Sequence, residues 1–282
     1  MSKVAAIQMC SSVHVDENLK TAERLIRNAV ENGAKLVVLP EMFAIFSSQA
    51  NDKILVKERY GRGKIQDFLA NTAVNLGVWI VGGTIPIEAS DKNKARAASL
   101  VYDSNGKNVA RYDKIHLFDV VLSETESYKE SDTTEPGNQL IVIDTPVGKL
   151  GLSVCYDIRF PGLFTHLLNA GAEIIVIPSA FTVKTGEAHW QLLTRSRAVE
   201  NFCYVIGACQ GGVHPNGRQT YGHSIIVEPW GSIVQEFIEP GVGIIYADID
   251  LQELKKIRST IPIVQHQKIR PDLSVNGFLK IV

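Results

Sequence analysis

The chain has 282 residues, 45% of them hydrophobic and 21% charged, with a formal net charge of −1. A chain of this size buries a sizeable core without disulfide or metal staples, and its near-neutrality, with no block of like charge, argues against nucleic acid or an anionic membrane as partner. No apolar run is long enough to cross a bilayer. The opening "MSKVAAIQMC" reads as a strand rather than a signal peptide, so the expected location is the cytoplasm, with an organellar form from a longer precursor left open.

In chain order, "VAAIQM" reads as a strand and "VDENLKTAERLIRNAVENG" as an amphipathic helix closed by glycine. "AKLVVLP" is a continuous apolar run, the pattern of a strand covered on both faces. "GKIQDFLANTAVNLG" is the next helix and "VWIVGGTI" the next strand; "AASLVYDSNGKNVARYDK" is two short strands about the turn Ser-Asn-Gly. A long polar loop follows, "LFDVVLSETESYKESDTTEPGNQL", of the kind that often lines active sites.

The second half then repeats the first. "KVAAIQMC" matches "KLGLSVCY", "NGAKLVVLPEMF" matches "AGAEIIVIPSAF", "VNLGVWIVGG" matches "VENFCYVIGA", and "SLVYDSNGKNVARY" matches "SIIVEPWGSIVQEF". Each half is therefore expected to be one βαβαββ unit, an apolar sheet with helices on one side. Two such sheets packed face to face give an α/β fold, a four-layer αββα sandwich with an internal pseudo-two-fold repeat. With no linker between the halves, one domain is expected over residues 1–267, with a tail at 268–282.

The symmetry breaks where chemistry would sit. Met9 corresponds to Cys155, and Ser179 to Glu41, so equivalent strand ends carry a thiol in one half and a carboxylate in the other. Cys10, Cys155, Cys203 and Cys209 lack zinc-ligand spacing, and a cysteine at the end of an apolar run is either core filler or a nucleophile. An unshifted thiol is only a few per cent thiolate at pH 7, so Cys155 needs a base, and Glu41, at the carboxyl end of a buried strand, is placed to serve. A tetrahedral oxyanion needs donors; the backbone N–H of Tyr156 is one candidate and Lys114, just after a strand and before the polar loop, another. A solvated strand-end lysine is the alternative reading of Lys114.

"LVVLPEMF", "RYDKIHLF" and "GLSVCYDIRFP" together resemble the three signature blocks of the nitrilase superfamily of carbon–nitrogen hydrolases, and the resemblance runs from about Val4 to Gln267. It implies the αββα fold, a homodimer or higher homo-oligomer, and no metal or organic cofactor. By position it makes Glu41 the general base, Cys155 the nucleophile that forms a thioester, Lys114 the stabiliser of the tetrahedral intermediate, and Glu130, in "YKES", the residue that positions Lys114 or assists proton transfer. "SAFTVKTGEAHW", "RSRAVENFCYV", "YGHS" and "IPIVQHQK" are most similar to the Nit branch, which implies a small-molecule 2-oxo acid amide as substrate. Deaminated glutathione, cleaved to 2-oxoglutarate and cysteinylglycine, is the preferred reading. An ω-amidase acting on 2-oxoglutaramate or 2-oxosuccinamate, an N-carbamoyl-amide hydrolase, and a non-catalytic interaction module on the same fold are the alternatives.

A substrate of that kind needs cations. Arg159 is a candidate, or else a structural bridge to Asp157 or Glu200. Lys184, Arg195 and Arg197 are others, with only one of the two arginines expected to face the pocket, since they lie two apart on a helix. His189 and Trp190 are read as pocket or dimer-contact residues, and Phe43 and Phe181, equivalent under the repeat, as flanking the cleft or simply packing. The ending "KIRPDLSVNGFLKIV" only partly fits the family pattern and receives no role.

Overall fold

A computed structural model describes residues 1–47, 49, 51–124, 126–269 and 279–281. The first half runs β1 (Ser2–Gln8), α1 (Val15–Glu31), β2 (Leu36–Val38), a single turn α2 (Asp52–Leu55), α3 (Lys64–Leu76), β3 (Trp79–Val81), β4 (Ile85–Glu88), β5 (Ala95–Tyr102) and β6 (Asn108–Asp113). The expected polar loop contains a hairpin, β7 (Asp119–Val121) and β8 (Ser127–Lys129), and a 3-10 turn, Glu130–Asp132. The second half runs β9 (Leu140–Thr145), β10 (Gly148–Leu152), a 3-10 turn Cys155–Arg159, α4 (Pro161–Asn169), β11 (Ile174–Val176), α5 (Val183–Asn201), β12 (Tyr204–Gly207), a hairpin β13 (Gly211–Val213) and β14 (Gln219–Tyr221), β15 (Ser224–Val227) and β16 (Ile233–Phe237). It closes with β17 (Gly243–Ile249), α6 (Leu251–Thr260), α7 (Ile263–His266) and β18 (Leu279–Ile281).

The strands form two seven-stranded sheets of matching order. In one, β1, β2 and β3 are parallel, with Val4 opposite Leu36 and Leu36 opposite Trp79. In the other, β10, β11 and β12 repeat the arrangement, with Leu150 opposite Ile174 and Ile174 opposite Tyr204. Alternate side chains of a strand point to opposite faces, and here they enter different cores. Val4, Ala6, Leu36 and Val38 pack toward the second sheet with Leu150, Leu152, Ile174 and Val176. Ala5, Ile7, Val37 and Leu39 pack outward against Leu19, Ala22, Ile26 and Ala29 of α1 and Leu69 and Ala73 of α3. Residues 19, 22, 26 and 29 recur at helical spacing, so α1 buries one stripe. The layers are helix, sheet, sheet, helix, as the repeat implies.

Two features go beyond a plain βαβαββ duplication. Each sheet gains an antiparallel edge next to its first strand, β9 on β10 and β17 on β1. The second of these crosses over: β17 belongs to the second half of the chain but pairs along all of β1, Ser2 with Ile249 through Gln8 with Gly243. The pairing hides an edge that would otherwise present open hydrogen-bonding groups and clasps the halves together. β18 pairs in parallel with β9, Leu279 opposite Leu140; the rest of the expected tail, residues 270–278 and 282, lies outside the described residues.

The non-chemical members of the repeat are packed away. Met9 and Ser179 are fully buried. Each is tied into a β-bridge, Met9 with Gln210 and Ser179 with Cys209.

A buried carboxylate joins the halves. Asp157, 0% exposed, accepts from the Tyr112 hydroxyl of β6 at 2.7 Å, from Val154 N at 2.8 Å and from His116 N at 3.0 Å, and lies 2.7 Å from His116 Nδ1. The His116 ring in turn stacks on Phe160, centroids 3.7 Å apart. Removing a buried, hydrogen-bonded charge leaves its donors unpaired, which typically costs about 3–5 kcal/mol. Asp157→Ala is therefore expected to lower the urea-unfolding free energy by about 3 kcal/mol or more, and Asp157→Asn by less. An unchanged unfolding midpoint for the alanine variant would contradict this account.

Candidate active site

Glu41 stands three residues past the buried end of β2, after Leu39 and Pro40. Its backbone is held on three sides. Met42, in the left-handed region at φ 56°, donates its N–H to Thr84 Oγ1 at 2.9 Å, and Gln210 Nε2 donates to the Glu41 carbonyl at 3.0 Å. Gly83 lies against the Pro40 carbonyl so closely that a Cβ there would sit 1.9 Å from the oxygen. Glycine at this position is what lets the β3–β4 connection press on the loop that carries the acid.

Cys155 begins the 3-10 turn after β10, also in the left-handed region at φ 46°. Its N–H donates to Pro178 O at 2.9 Å, and the Asp157 carboxylate that receives Val154 N–H fixes the preceding peptide. A non-glycine residue at positive φ costs free energy and persists only where its surroundings hold it. The effect is to turn the thiol out of the strand line, onto the cavity that Glu41 also lines. Burial, then the adjacent Glu41 charge, pushes the thiol well above its ordinary value, and Lys114 offsets this only in part. The resting group is a thiol.

Lys114 arrives from the other side, at the end of β6, and is 2% exposed. Its Nζ donates to Glu41 Oε1 at 2.8 Å and to Glu130 Oε2 at 2.9 Å. Glu130 Oε2 also accepts Phe118 N–H at 2.7 Å. Burial works against the ammonium, but Glu130, Glu41 and Cys155 outweigh it and hold Lys114 protonated well above the ordinary lysine range. Burial likewise opposes the Glu130 charge, and Lys114 overrides it, keeping that carboxyl below its usual value. Lys114 is thus a member of a buried acid–base–acid chain rather than a solvated strand-end lysine.

These four residues open on one cavity of about 390 Å³, lined further by Phe118, Tyr128, Tyr156, Phe181, Lys53 and Arg218. Of the other expected contacts, Tyr156 and Phe181 line the cavity and the rest lie elsewhere. Phe43 is fully buried in the outer core against the helices, not in the cavity, so the repeat-related pair splits and only Phe181 lines it. Arg159 bridges neither Asp157 nor Glu200; its guanidinium lies 3.2 Å from His189 Nδ1 and over the Tyr156 and Phe181 rings. Lys184 is exposed and donates to Leu122 O of the β7–β8 hairpin at 2.7 Å. Neither arginine of α5 lines the cavity: Arg195 donates to Gly231 O, and Arg197 to Ile158 O and Glu200. His189 is exposed, whereas Trp190 is buried on Phe181 and donates to His223 O at 2.7 Å.

Three cavity cations escape the sequence reading; one, Lys129, is exposed and pairs with Asp132 at 3.2 Å. Lys53, on α2, donates to Thr134 Oγ1 at 2.6 Å. Arg218, between β13 and β14, is sandwiched by the Phe46 and Tyr128 rings, 4.9 Å from each centroid. Lys53 lies in a stretch without periodic pattern, and nothing local sets it apart. Arg218 lies three residues before "YGHS", one of the stretches that resemble the Nit branch, and that was the available signal.

The profile of the carbon-nitrogen hydrolase family matches residues 3–259. The chain belongs to this family. As a carbon–nitrogen hydrolase it cleaves C–N bonds in amides. It is 42% identical over 269 residues to the deaminated glutathione amidase of Yersinia enterocolitica, covering 95% of this chain and 93% of that one. Among solved structures it is similar to the C. elegans NitFhit protein, with a TM-score of 0.87 and 34% identity over 95% of this chain; the match spans 65% of the NitFhit chain. It is also similar to Saccharomyces cerevisiae Nit3, a member of branch 10 of the nitrilase superfamily, with a TM-score of 0.84 and 35% identity, covering 95% and 97% of the two chains.

The hydrolase's buried ion chain sets a pH response. The Glu130 carboxyl is depressed in the folded state, so its stabilisation is present above the unfolded carboxylate value of about 4.3 and is lost as pH falls through the folded value. Urea titrations from pH 7 downward are expected to show this acid loss in the parent and a shallower one in Glu130→Gln. Lys114→Met, which strands two buried carboxylates, is expected to lose about 3–5 kcal/mol at pH 7. Retention of parental stability by Lys114→Met would refute the description of the chain as a compensated unit.

Proposed function

We propose that this chain is a cysteine-dependent amidase of 2-oxo acid amides, with deaminated glutathione its preferred substrate. The observation that carries the reading is that Cys155 shares one cavity with Glu41 and Lys114, which are hydrogen-bonded to each other at 2.8 Å. As Cys155 Sγ attacks the amide carbonyl, its proton passes to Glu41, and the oxyanion gains the Lys114 ammonium and the Tyr156 N–H as donors. Glu130 holds Lys114 in place from the far side. Collapse of the tetrahedral adduct breaks the C–N bond; Glu41 returns the proton to the departing amine, leaving a thioester. Glu41 then takes a proton from water, whose oxygen attacks the thioester, and the acid and free thiol are released.

Substrate choice rests on the relatives. The Yersinia enterocolitica and Homo sapiens proteins named deaminated glutathione amidase are 42% and 40% identical to this chain, over 95% and 97% of its length. For this substrate the first product is cysteinylglycine and the second 2-oxoglutarate. A cytoplasmic homo-oligomer is part of the same reading, supported by exposed Leu192 and Val199 on α5 and by exposed Trp230.

Steady-state assays on deaminated glutathione and 2-oxoglutaramate test the choice, the first being expected to have at least about a 10-fold higher kcat/KM. Rapid quenching and intact mass measurement should find the 2-oxoglutaryl adduct on Cys155. Glu41→Gln is expected to reduce kcat/KM by about 10²–10⁴. Turnover without an adduct, or a preference for 2-oxoglutaramate, would count against the mechanism or the substrate respectively.

A further inference from the structure

Besides Lys129, which pairs with Asp132 at 3.2 Å, the cavity holds two cations that the proposed chemistry does not use. Lys53 and Arg218 both line it, and neither is paired with a carboxylate among the described residues. Lys53 Nζ has the Thr134 hydroxyl as hydrogen-bond partner, and its charge interacts with Glu130, Lys114 and Glu41. It therefore stands at the catalytic end. Burial draws Lys53 below the ordinary lysine range and Glu130 opposes this in part, so an anion at this spot would relieve an existing cost.

Arg218 is held differently. Phe46 and Tyr128 clamp the two faces of its guanidinium, and Phe46 is backed by His214, stacked at 3.7 Å. The clamp fixes the plane and leaves the edge to hydrogen-bond. Nε is buried without a hydrogen-bond partner among the described residues. A planar fork with a buried free donor is suited to a carboxylate. The β13–β14 connection carries Arg218 and the β7–β8 hairpin carries Tyr128, whereas Lys53 comes from α2, where it shares a second, smaller hollow with Glu41 and Glu130 that Arg218 does not line.

The geometry points to a division of labour that rests on the 2-oxo acid amide reading: Lys53 binds the carboxylate of the acyl part, and Arg218 binds the terminal carboxylate of the departing amine. The acyl carboxylate stays near the nucleophile for the life of the thioester, which suits the cation beside the catalytic carboxylates. In deaminated glutathione the leaving dipeptide ends in a glycine carboxylate farther from the scissile bond, which suits the cation on the hairpin wall. Two anionic ends recognised separately also explain how one site would distinguish this substrate from a shorter amide with the same acyl part.

The test compares the parent, Lys53→Met and Arg218→Gln on deaminated glutathione and on the N-propyl amide of the same acyl group, which lacks the second carboxylate. Rates are expressed per site titrated by Cys155 acylation, so poorly folded molecules do not count. Arg218→Gln is expected to lower kcat/KM about 10- to 100-fold on deaminated glutathione and less than about 3-fold on the propyl amide. Lys53→Met is expected to lower both, and to raise the inhibition constant of 2-oxoglutarate by about 10-fold or more, which Arg218→Gln leaves unchanged. Equal losses on both substrates for Arg218→Gln, or an unchanged 2-oxoglutarate inhibition constant for Lys53→Met, would overturn the assignment. If the parent hydrolyses neither compound, the substrate reading fails instead.

Discussion

One ammonium group holds the centre of this molecule together. Lys114 Nζ bonds at once to Glu41 from the first β-strand layer and to Glu130 from the segment between the halves, at 2.8 and 2.9 Å. Buried ion pairs bring little net stability, because desolvation offsets the attraction, but removing one partner is costly. The arrangement therefore fixes geometry more than it adds stability. With Lys114 charged, Glu130 is kept ionised in a place where burial alone would favour its neutral form. Burial and the neighbouring Glu41 keep the Cys155 thiol protonated.

The surrounding structure serves this point from both halves of the chain. Asp157 ties the nucleophile turn to β6, the strand that delivers Lys114, through Tyr112. Gln210 donates to Ser11 Oγ and to the Glu41 carbonyl, so the second half also braces the acid's loop. The β17–β1 pairing closes the remaining seam. Left-handed backbone at Met42 and Cys155, one in each half, aims the acid and the thiol, and each is held by the hydrogen bond of a neighbouring peptide or side chain.

The layers were legible because they depend on patterns that sequence carries directly. The apolar runs "LVV" and "IIV" became parallel strands buried on both faces, and the repeat foretold two sheets of the same order. Glu41, Lys114 and Cys155 were legible because each follows a strand, and strand ends are placed by the fold. Crossover of β17 was not legible, since nothing in "GIIYADI" says which sheet it joins. Side chains on long or exposed segments were least legible: Arg159, Lys184 and Arg195 have the right charge, but each is spent on a local acceptor. Phe43 and Phe181 are equivalent by sequence, yet the cavity lies on one side of the pseudo-axis only, so one packs inward and the other borders it.

Duplication gave this scaffold two related corners, and it works at one. In the idle corner Met9 and Ser179 are sealed into the interior and stitched by β-bridges to Cys209 and Gln210. Gln210, a partner in that stitching, also steadies the loop of Glu41 through its side-chain amide. The sealed corner is thus a footing for the open one: the repeated unit that lines no cavity props the one that does.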